Sequence, residues 1–443
     1  MSFSHDEPAD ELQIARTAGR WNLVPLLLLM VAVSHFNRIS ITVAGAEVII
    51  PQRGISPTEM GWIYSSFLIF YTLAMSPGGW FIDRYGAALG LLILALGSAI
   101  FMALTGLAGQ FWTGATLLVS LLIVRSLMGI TNVSTHPGAA SFVGQWIPPR
   151  QQNFVNGLVN FAALMGISIT YPLFGMMIDR FGWSDASFIA AGGTLCLALI
   201  WGLFAFKGPQ VRPHPVAASP PSNGAPINPF AIQTGDPPAP GARPRSIGSL
   251  LNRSLLCLTA SYAALGYFQY LFFYWAQYYF EEVRHLSKDD GRQFASGLAI
   301  AMGLGMVVGG WLTDWSRHRF PHPRTIALMP VVGLSGAAAA LVPGIFSDST
   351  LVTVCCFALA MAAAGTCEGA FWTLAVEIGG RRGGLAAAIL NTGGNAGGLI
   401  APVLTPYISE WLGWQAGLAF ASAVCLIGAL CWLGIDPRQR VRE

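Results

Sequence analysis

Gly78-Gly79-Trp80-Phe81-Ile82-Asp83 and Gly309-Gly310-Trp311-Leu312-Thr313-Asp314 stand 231 residues apart and share a glycine pair, a tryptophan and a closing aspartate. The same offset carries Asn160 to Asn391 and Gly182-Trp183 to Gly413-Trp414. Three matches at one offset mark an internal repeat. The material between them is apolar: of the 443 residues 54% are hydrophobic and only 10% charged, with a mean hydropathy of +0.56. A soluble globular chain carries about 25% charged residues, so an ordinary soluble enzyme is excluded. Apolar runs of about 20 residues are long enough to cross a bilayer as helices. They predict spans over 22–46, 60–82, 88–109, 112–140, 153–178 and 185–206, then over 252–281, 293–315, 325–346, 350–378, 383–408 and 411–434. The expected fold is an all-α membrane protein, with twelve transmembrane helices in two parallel six-helix pseudo-repeats.

Between the repeats lies GPQVRPHPVAASPPSNGAPINPFAIQTGDPPAPGARPRS, a Pro-rich stretch without helical periodicity that reads as a solvated tether. The expected organisation is therefore a bundle over 1–206, a cytoplasmic linker over 207–250 and a second bundle over 251–443. The first 20 residues include Asp6, Glu7, Asp10 and Glu11 and have no cleavage-site pattern, so the first span is expected to stay in the mature protein. Lys and Arg set the orientation. Arg16, Arg20, Arg84, Arg150, Lys207, Arg212, Arg243, Arg245, Arg253, Arg317, Arg319, Arg324, Arg381, Arg382, Arg438, Arg440 and Arg442 crowd one side. The opposite loops hold Arg53, Arg180, Arg284, Lys288 and Arg292. Both termini are expected in the cytoplasm. A net charge of +3 without a dense basic cluster excludes a nucleic-acid partner, and the seven cysteines lie in apolar runs without metal-ligand spacing. No metal or cofactor is expected.

Two arginines, Arg38 and Arg125, fall inside spans. A charge near the bilayer centre costs at least a few kcal/mol, so it turns inward and finds a partner. No acid is near either in sequence, which leaves two readings: a structural pair with a distant carboxylate such as Glu368, or a guanidinium fork awaiting the carboxylate of a substrate. Arg125, Asn132 and His136, at i, i+7 and i+11, form one stripe of the fourth span, and His35 and Arg38 share a face of the first. The 231-residue offset sends Arg38 to Gln269 and Arg125 to Cys356, so the cationic charge belongs to the first half. The second half offers Tyr267, Tyr270, Tyr274, Trp372, Asn391 and Asn395, neutral groups suited to hydroxyls. Glu47 and Glu377 are assigned to the membrane interfaces.

Further motifs carry a resemblance. Gly79-Trp-Phe-Ile-Asp83-Arg84-Tyr-Gly86 joins Phe36-Asn37-Arg38, Tyr71 before Ser76-Pro77-Gly78-Gly79, and Arg125-Ser-Leu-Met-Gly129. Trp146-Ile-Pro148-Pro149-Arg150, Tyr270 to Tyr279, and Asn391 with Asn395-Ala-Gly397-Gly398 complete the set. Together they resemble the major facilitator superfamily and, within it, the anion:cation symporter family of organic-anion carriers. Ala87 and Ala88 depart from that pattern, standing where basic residues usually follow the loop motif. The resemblance implies the major facilitator fold and a monomer in a bacterial inner membrane. It implies alternating-access transport of a sugar acid such as a hexuronate or aldonate, with proton co-transport. The implied substrate-binding residues are Arg38, Arg125, Tyr71, Asn160, Gln269, Tyr270, Trp372, Asn391 and Asn395, and the implied gate is Asp83, Arg84 and Asp314. Asn37 and Asn132 stand where the family commonly has acids, and an amide carries no proton. That leaves His35, His136 and Glu368 as proton-coupling candidates. It also keeps open a proton-independent uniporter or an anion exchanger, including a phosphate-ester exchanger. A non-transporting solute receptor is the alternative from another class. No nucleophile–base pair or phosphate loop suggests an enzyme.

Overall fold

Ser56 and Pro57 show how local sequence starts a span. Ser56 Oγ accepts from the Glu59 amide at 3.2 Å while Glu59 Oε2 accepts from the Ser56 amide at 2.8 Å, a reciprocal cap ahead of a helix with proline at its first position. The computed structural model describes residues 21–205, 252–320 and 322–436, and no strand occurs among them. The tether expected over 207–250 and the terminal residues lie outside the described residues. The first half comprises α1 (Trp21–Arg53), α2 (Pro57–Tyr85), α3 (Ala87–Phe111), α4 (Gly114–Trp146), α5 (Pro149–Phe181) and α6 (Trp183–Ala205). The second comprises α7 (Arg253–Val283), α8 (Lys288–Arg319), α9 (Arg324–Phe346), α10 (Thr350–Gly379), α11 (Gly383–Leu412) and α12 (Trp414–Gly434).

The repeat has a backbone cause. Gly182 and Gly413 adopt φ of 80° and 82° in the turns that feed Trp183 and Trp414, a region only glycine enters freely. The long spans four and ten also break at matching depths. Turns at Val133-Ser134 and at Thr366-Cys367 separate their two segments. Pro137 lacks the N–H that would bridge the first break. In α1 and α7 the chain widens to a π-helical turn at matching ends, Gly45–Ile49 and Tyr279–Val283.

Ten of these helices are long and apolar enough to cross a membrane by composition alone. The remaining two, α2 and α11, pack on each other across the halves, as α5 packs on α8. They carry Ser, Tyr, Asn and Gly on the faces that meet protein and cavity, whereas Leu73 of α2 and Trp411 of α11, like Leu351 and Leu433, are exposed to an apolar surround.

Gly61 on α2 lies directly on the Pro402 carbonyl of α11, and a Cβ there would overlap it. Close by, Thr58 Oγ1 donates to Glu410 Oε1 at 2.7 Å and Ser65 Oγ to the Leu399 carbonyl at 2.6 Å. Overpacking costs about 1–3 kcal/mol, and here it falls on one arrangement of the halves. Gly61→Val is therefore expected to slow disulfide cross-linking between Thr58→Cys and Glu410→Cys by about tenfold in a background cleared of native cysteines. An unchanged rate would mean that this contact does not hold the halves together.

Candidate substrate cavity

Between the halves lies a cavity of about 500 Å³. Its deep end is formed by Arg38, Ile39, Tyr270 and Phe273, and it runs towards Gly157, Val376 and Gly384 on the side of Asp83 and Asp314. The floor below Tyr270 is sealed by aromatic contacts between the halves. Tyr64 stacks on Tyr274 with ring centroids 4.7 Å apart, and Tyr171 donates to the Phe273 carbonyl at 2.7 Å. Such a volume suits a small solute.

Of the residues expected in the site, Arg38, Tyr71, Asn160, Gln269, Tyr270, Trp372, Asn391 and Asn395 line the cavity, as do His35, His136 and Glu368. Arg125 does not. It is fully buried behind Arg38, donating Nη2 to the Arg38 carbonyl at 2.6 Å and Nη1 to the Asn37 carbonyl at 3.3 Å. The break at Val133-Ser134 explains why the expected stripe divides. Asn132 turns into the first half, accepting from Ser34 Oγ at 2.9 Å and donating to Ser98 Oγ at 3.2 Å, while His136, beyond the break, reaches the cavity. Tyr267 is likewise turned inward, bonded to Thr405 Oγ1 at 2.8 Å.

Arg38 Nη2 donates to the Tyr270 hydroxyl at 2.8 Å across the halves, and its guanidinium lies 5.0 Å from the Phe67 ring centre and 5.1 Å from that of Tyr270. Its Nε is buried without a partner. Among the described residues neither Arg38 nor Arg125 has a carboxylate oxygen within 4.0 Å. Aromatic faces and carbonyls offset part of a buried cation's cost and leave a fork that fits an incoming acid. The distant acid suggested as a structural partner is engaged elsewhere. Glu368 Oε1 accepts from the Tyr262 hydroxyl at 2.6 Å and from Trp372 Nε1 at 3.1 Å. Asn391 and Asn395 each direct Nδ2 at Met75 Sδ, at 3.7 and 3.5 Å; a thioether is a weak acceptor, so these amides suit stronger partners.

At the opposite end the halves are joined by ions that sequence reading put elsewhere. Arg292, assigned to a loop, sits in the first turns of α8, buried, with Nε on Glu47 Oε1 at 2.8 Å and Nη2 on Glu47 Oε2 at 2.6 Å. It also donates Nη2 to Asp179 Oδ1 at 2.9 Å, and its side chain passes over Gly175, where a Cβ would overlap Nε. Glu47, assigned to a membrane interface, is thus buried in the π-helical turn of α1, where it also accepts from Gln277 Nε2 at 2.7 Å. The Ser287-Lys-Asp-Asp290 cap, whose Asp290 amide donates to Ser287 Oγ at 3.2 Å, would have signalled that Arg292 belongs to a helix. Asp83, Arg84 and Asp314 lie exposed at the other end, away from the cavity lining. There Glu377 bonds Arg317 at 2.7 Å within the second half.

A family model described as the Major Facilitator Superfamily matches residues 27–384 and 378–443. The chain belongs to the major facilitator superfamily. This superfamily member is 24% identical over 427 residues to a probable sulfoacetate transporter of Cupriavidus necator, covering 95% of each chain. It is 23% identical over 433 residues to a probable galactarate/D-glucarate transporter of Bacillus subtilis, covering 96% of this chain and 94% of the relative. A bacterial homologue of the human lysosomal transporter Spinster, solved inward-facing and unoccupied, shares the fold with a TM-score of 0.75 at 18% identity, over 94% of this chain and 96% of that one. The protein is accordingly an integral membrane transporter of the major facilitator superfamily, related to sugar-acid transporters, and not an enzyme. Within its cavity, sequence reading missed Tyr262, Met75 and Phe273, which carry no charge and become site residues only through the packing of α2, α7 and α11.

Proposed function

We propose that the protein carries a small organic anion, a sugar acid such as a hexuronate or aldonate, across the membrane by alternating access. The observation that supports this reading is Arg38, a cation at the deep end of the cavity with no carboxylate partner among the described residues, faced by amides and phenols that suit hydroxyls. Arg125 supplies a second positive charge and holds the carbonyls beside Arg38. The Lys- and Arg-rich loops put the Asp83 end in the cytoplasm, so the cavity faces inward and the Arg292 ion pairs close the outer side. Asp83, Arg84 and Asp314 form the gate at the open end. The carrier works as a monomer in a bacterial inner membrane.

Proton coupling rests on His35, His136 and Glu368. The His35 and His136 rings stand 5.4 Å apart, and Glu368 is the one acid lining the cavity among the described residues. A specific observation favours the proton-independent alternative as a second reading. Asn37 and Asn132 are tied into the first half, Asn37 Nδ2 donating to Thr194 Oγ1 at 2.8 Å, and neither lines the cavity.

Thermal unfolding of the purified protein with uronates, aldonates, sugar phosphates and matched neutral alditols tests the substrate class. Ligand at 100 times its Kd should add about 2.7 kcal/mol. Stabilisation by an acid and not by its alditol is the expected result; stabilisation only by neutral or phosphorylated compounds would overturn the reading. Uptake of that acid into vesicles should rise several-fold under an inward-directed proton gradient, and equal uptake without the gradient would select the uniporter or exchanger.

A further inference from the structure

Glu368 presents an oxygen that no described residue uses. Both donors near this side chain, the Tyr262 hydroxyl at 2.6 Å and Trp372 Nε1 at 3.1 Å, converge on Oε1, while Oε2 is buried and without a partner. In its ionised form a carboxylate only accepts hydrogen bonds, so Oε2 is then an open acceptor. The break at Thr366-Cys367 places Glu368 at the start of the second segment of α10, where it lines the same cavity as Arg38. The two charged groups occupy different levels. Arg38 bonds Tyr270 and Glu368 bonds Tyr262, eight residues apart on α7, which separates the two levels by about 12 Å along the helix axis before the reach of the side chains is counted. The levels are fixed by α11: Gly394 and Gly398 lie against the rings of Tyr262 and Tyr270, and a Cβ at either would overlap its ring. Gln269, Asn391 and Asn395 line the cavity alongside.

Resting on the organic-anion reading above, we infer that Glu368 is a specificity-determining substrate contact: Oε2 accepts a hydrogen bond from a hydroxyl or ammonium at the end of the substrate remote from its acid group. The site is thereby built for a monoanion with a donor at its far end and against a second acid group. Among the described residues Arg38 is the one arginine or lysine and Glu368 the one acid lining the cavity, so a dianion anchored on Arg38 brings its other acid towards Glu368. Like charges brought together in a desolvated site are strongly disfavoured. A site that hydrogen-bonds a polar group also discriminates steeply against analogues unable to pair with it. This sets the chain apart from relatives described as carriers of sulfoacetate or of galactarate and D-glucarate, which are dianions.

The test measures binding at mildly alkaline pH to four compounds on one carbon skeleton: the aldonate, the aldarate, the ω-amino aldonate and the neutral alditol. Wild type should bind the aldonate at least about tenfold more tightly than the aldarate, and an ω-amino aldonate tighter still would identify ammonium as the preferred donor. Glu368→Gln keeps size and an acceptor oxygen while removing the charge. It should weaken aldonate binding several-fold, strengthen aldarate binding and bring their ratio to about one. Equal affinity of wild type for aldonate and aldarate overturns the inference without recourse to any variant. So does a ratio that Glu368→Gln leaves unchanged while Arg38→Gln abolishes binding of both acids, and that result leaves the organic-anion reading standing. If no acid on the panel binds wild type better than the alditol, the organic-anion reading itself fails and this inference with it.

Discussion

Arg38→Gln lowers the affinity for an organic acid by about 100-fold or more and leaves any weak binding of the matched alditol unchanged. Glutamine keeps a donor of similar reach but neither the charge nor the fork. Hydrogen bonds to a charged group are worth about 1.5–3 kcal/mol each, and a bidentate pair supplies two. The variant should fold, because Arg38 makes no ion pair among the described residues: its side chain gives a hydrogen bond to Tyr270 and lies over the faces of Phe67 and Tyr270. Arg38→Lys separates charge from shape, and retention of charge without the fork should cost about tenfold. Arg125→Gln is expected to behave differently. It removes donors from the carbonyls of Asn37 and Arg38, so it lowers the midpoint of thermal unfolding as well as affinity. Titration calorimetry on the three variants measures all of this. Full affinity in Arg38→Gln would move the acid-binding group away from the deep end of the cavity.

Arg292→Met opens the end of the molecule that the ion pairs now close. Arg292 has two buried ion-pair contacts with Glu47, whose side chain is 0% exposed, whereas Asp179 is 47% and Asp289 80% exposed. The exposed partners add little. Removing the arginine leaves Glu47 as a buried charge without its cation, a loss of about 3–5 kcal/mol. Separation of the halves at this end would relieve that cost by letting water reach Glu47. The variant should therefore populate the state open on this side. Ser296, whose hydroxyl is 2.7 Å from that of Ser168 on the other half, is a suitable reporter. With native cysteines removed, Ser296→Cys should react at least about tenfold faster with a membrane-impermeant thiol reagent when Arg292→Met is added. Adding Glu47→Gln to Arg292→Met should return most of the protection, since no charge is then stranded, and the double-mutant cycle gives the coupling directly. Unchanged reactivity in Arg292→Met would show that the ion pairs do not hold this end closed.

Twelve helices in two halves, and the two arginines inside the first and fourth spans, were legible in the sequence, because a bilayer makes apolar length and charge placement into strong signals. The offset that relates Asp83 to Asp314 also relates Gly182 to Gly413, and these glycines occupy the same positive-φ turn. Much of the polar part of the cavity lining was legible too. A polar side chain in an apolar span has few places to go, which is why Arg38, Asn391, Asn395 and Glu368 all reach one space.

What helical periodicity could not supply was continuity. It treated the fourth span as one straight stripe, but the break at Val133-Ser134 sends Arg125 and Asn132 into the first half and only His136 to the cavity. The partners were equally out of reach of the sequence. Glu47 and Arg292 are 245 residues apart, in different halves, and nothing local to either announces the other. Tyr262 became the partner of Glu368, and Arg38 was left without a carboxylate, through the packing of α7 between the halves. The sequence by itself determined that this chain crosses a membrane twelve times in two related halves, with arginines and amides inside, since transfer from water to lipid is decided residue by residue. Only the tertiary structure decided which charges are paired, which face the cavity and which end is shut, because those depend on distances between helices that no single helix encodes.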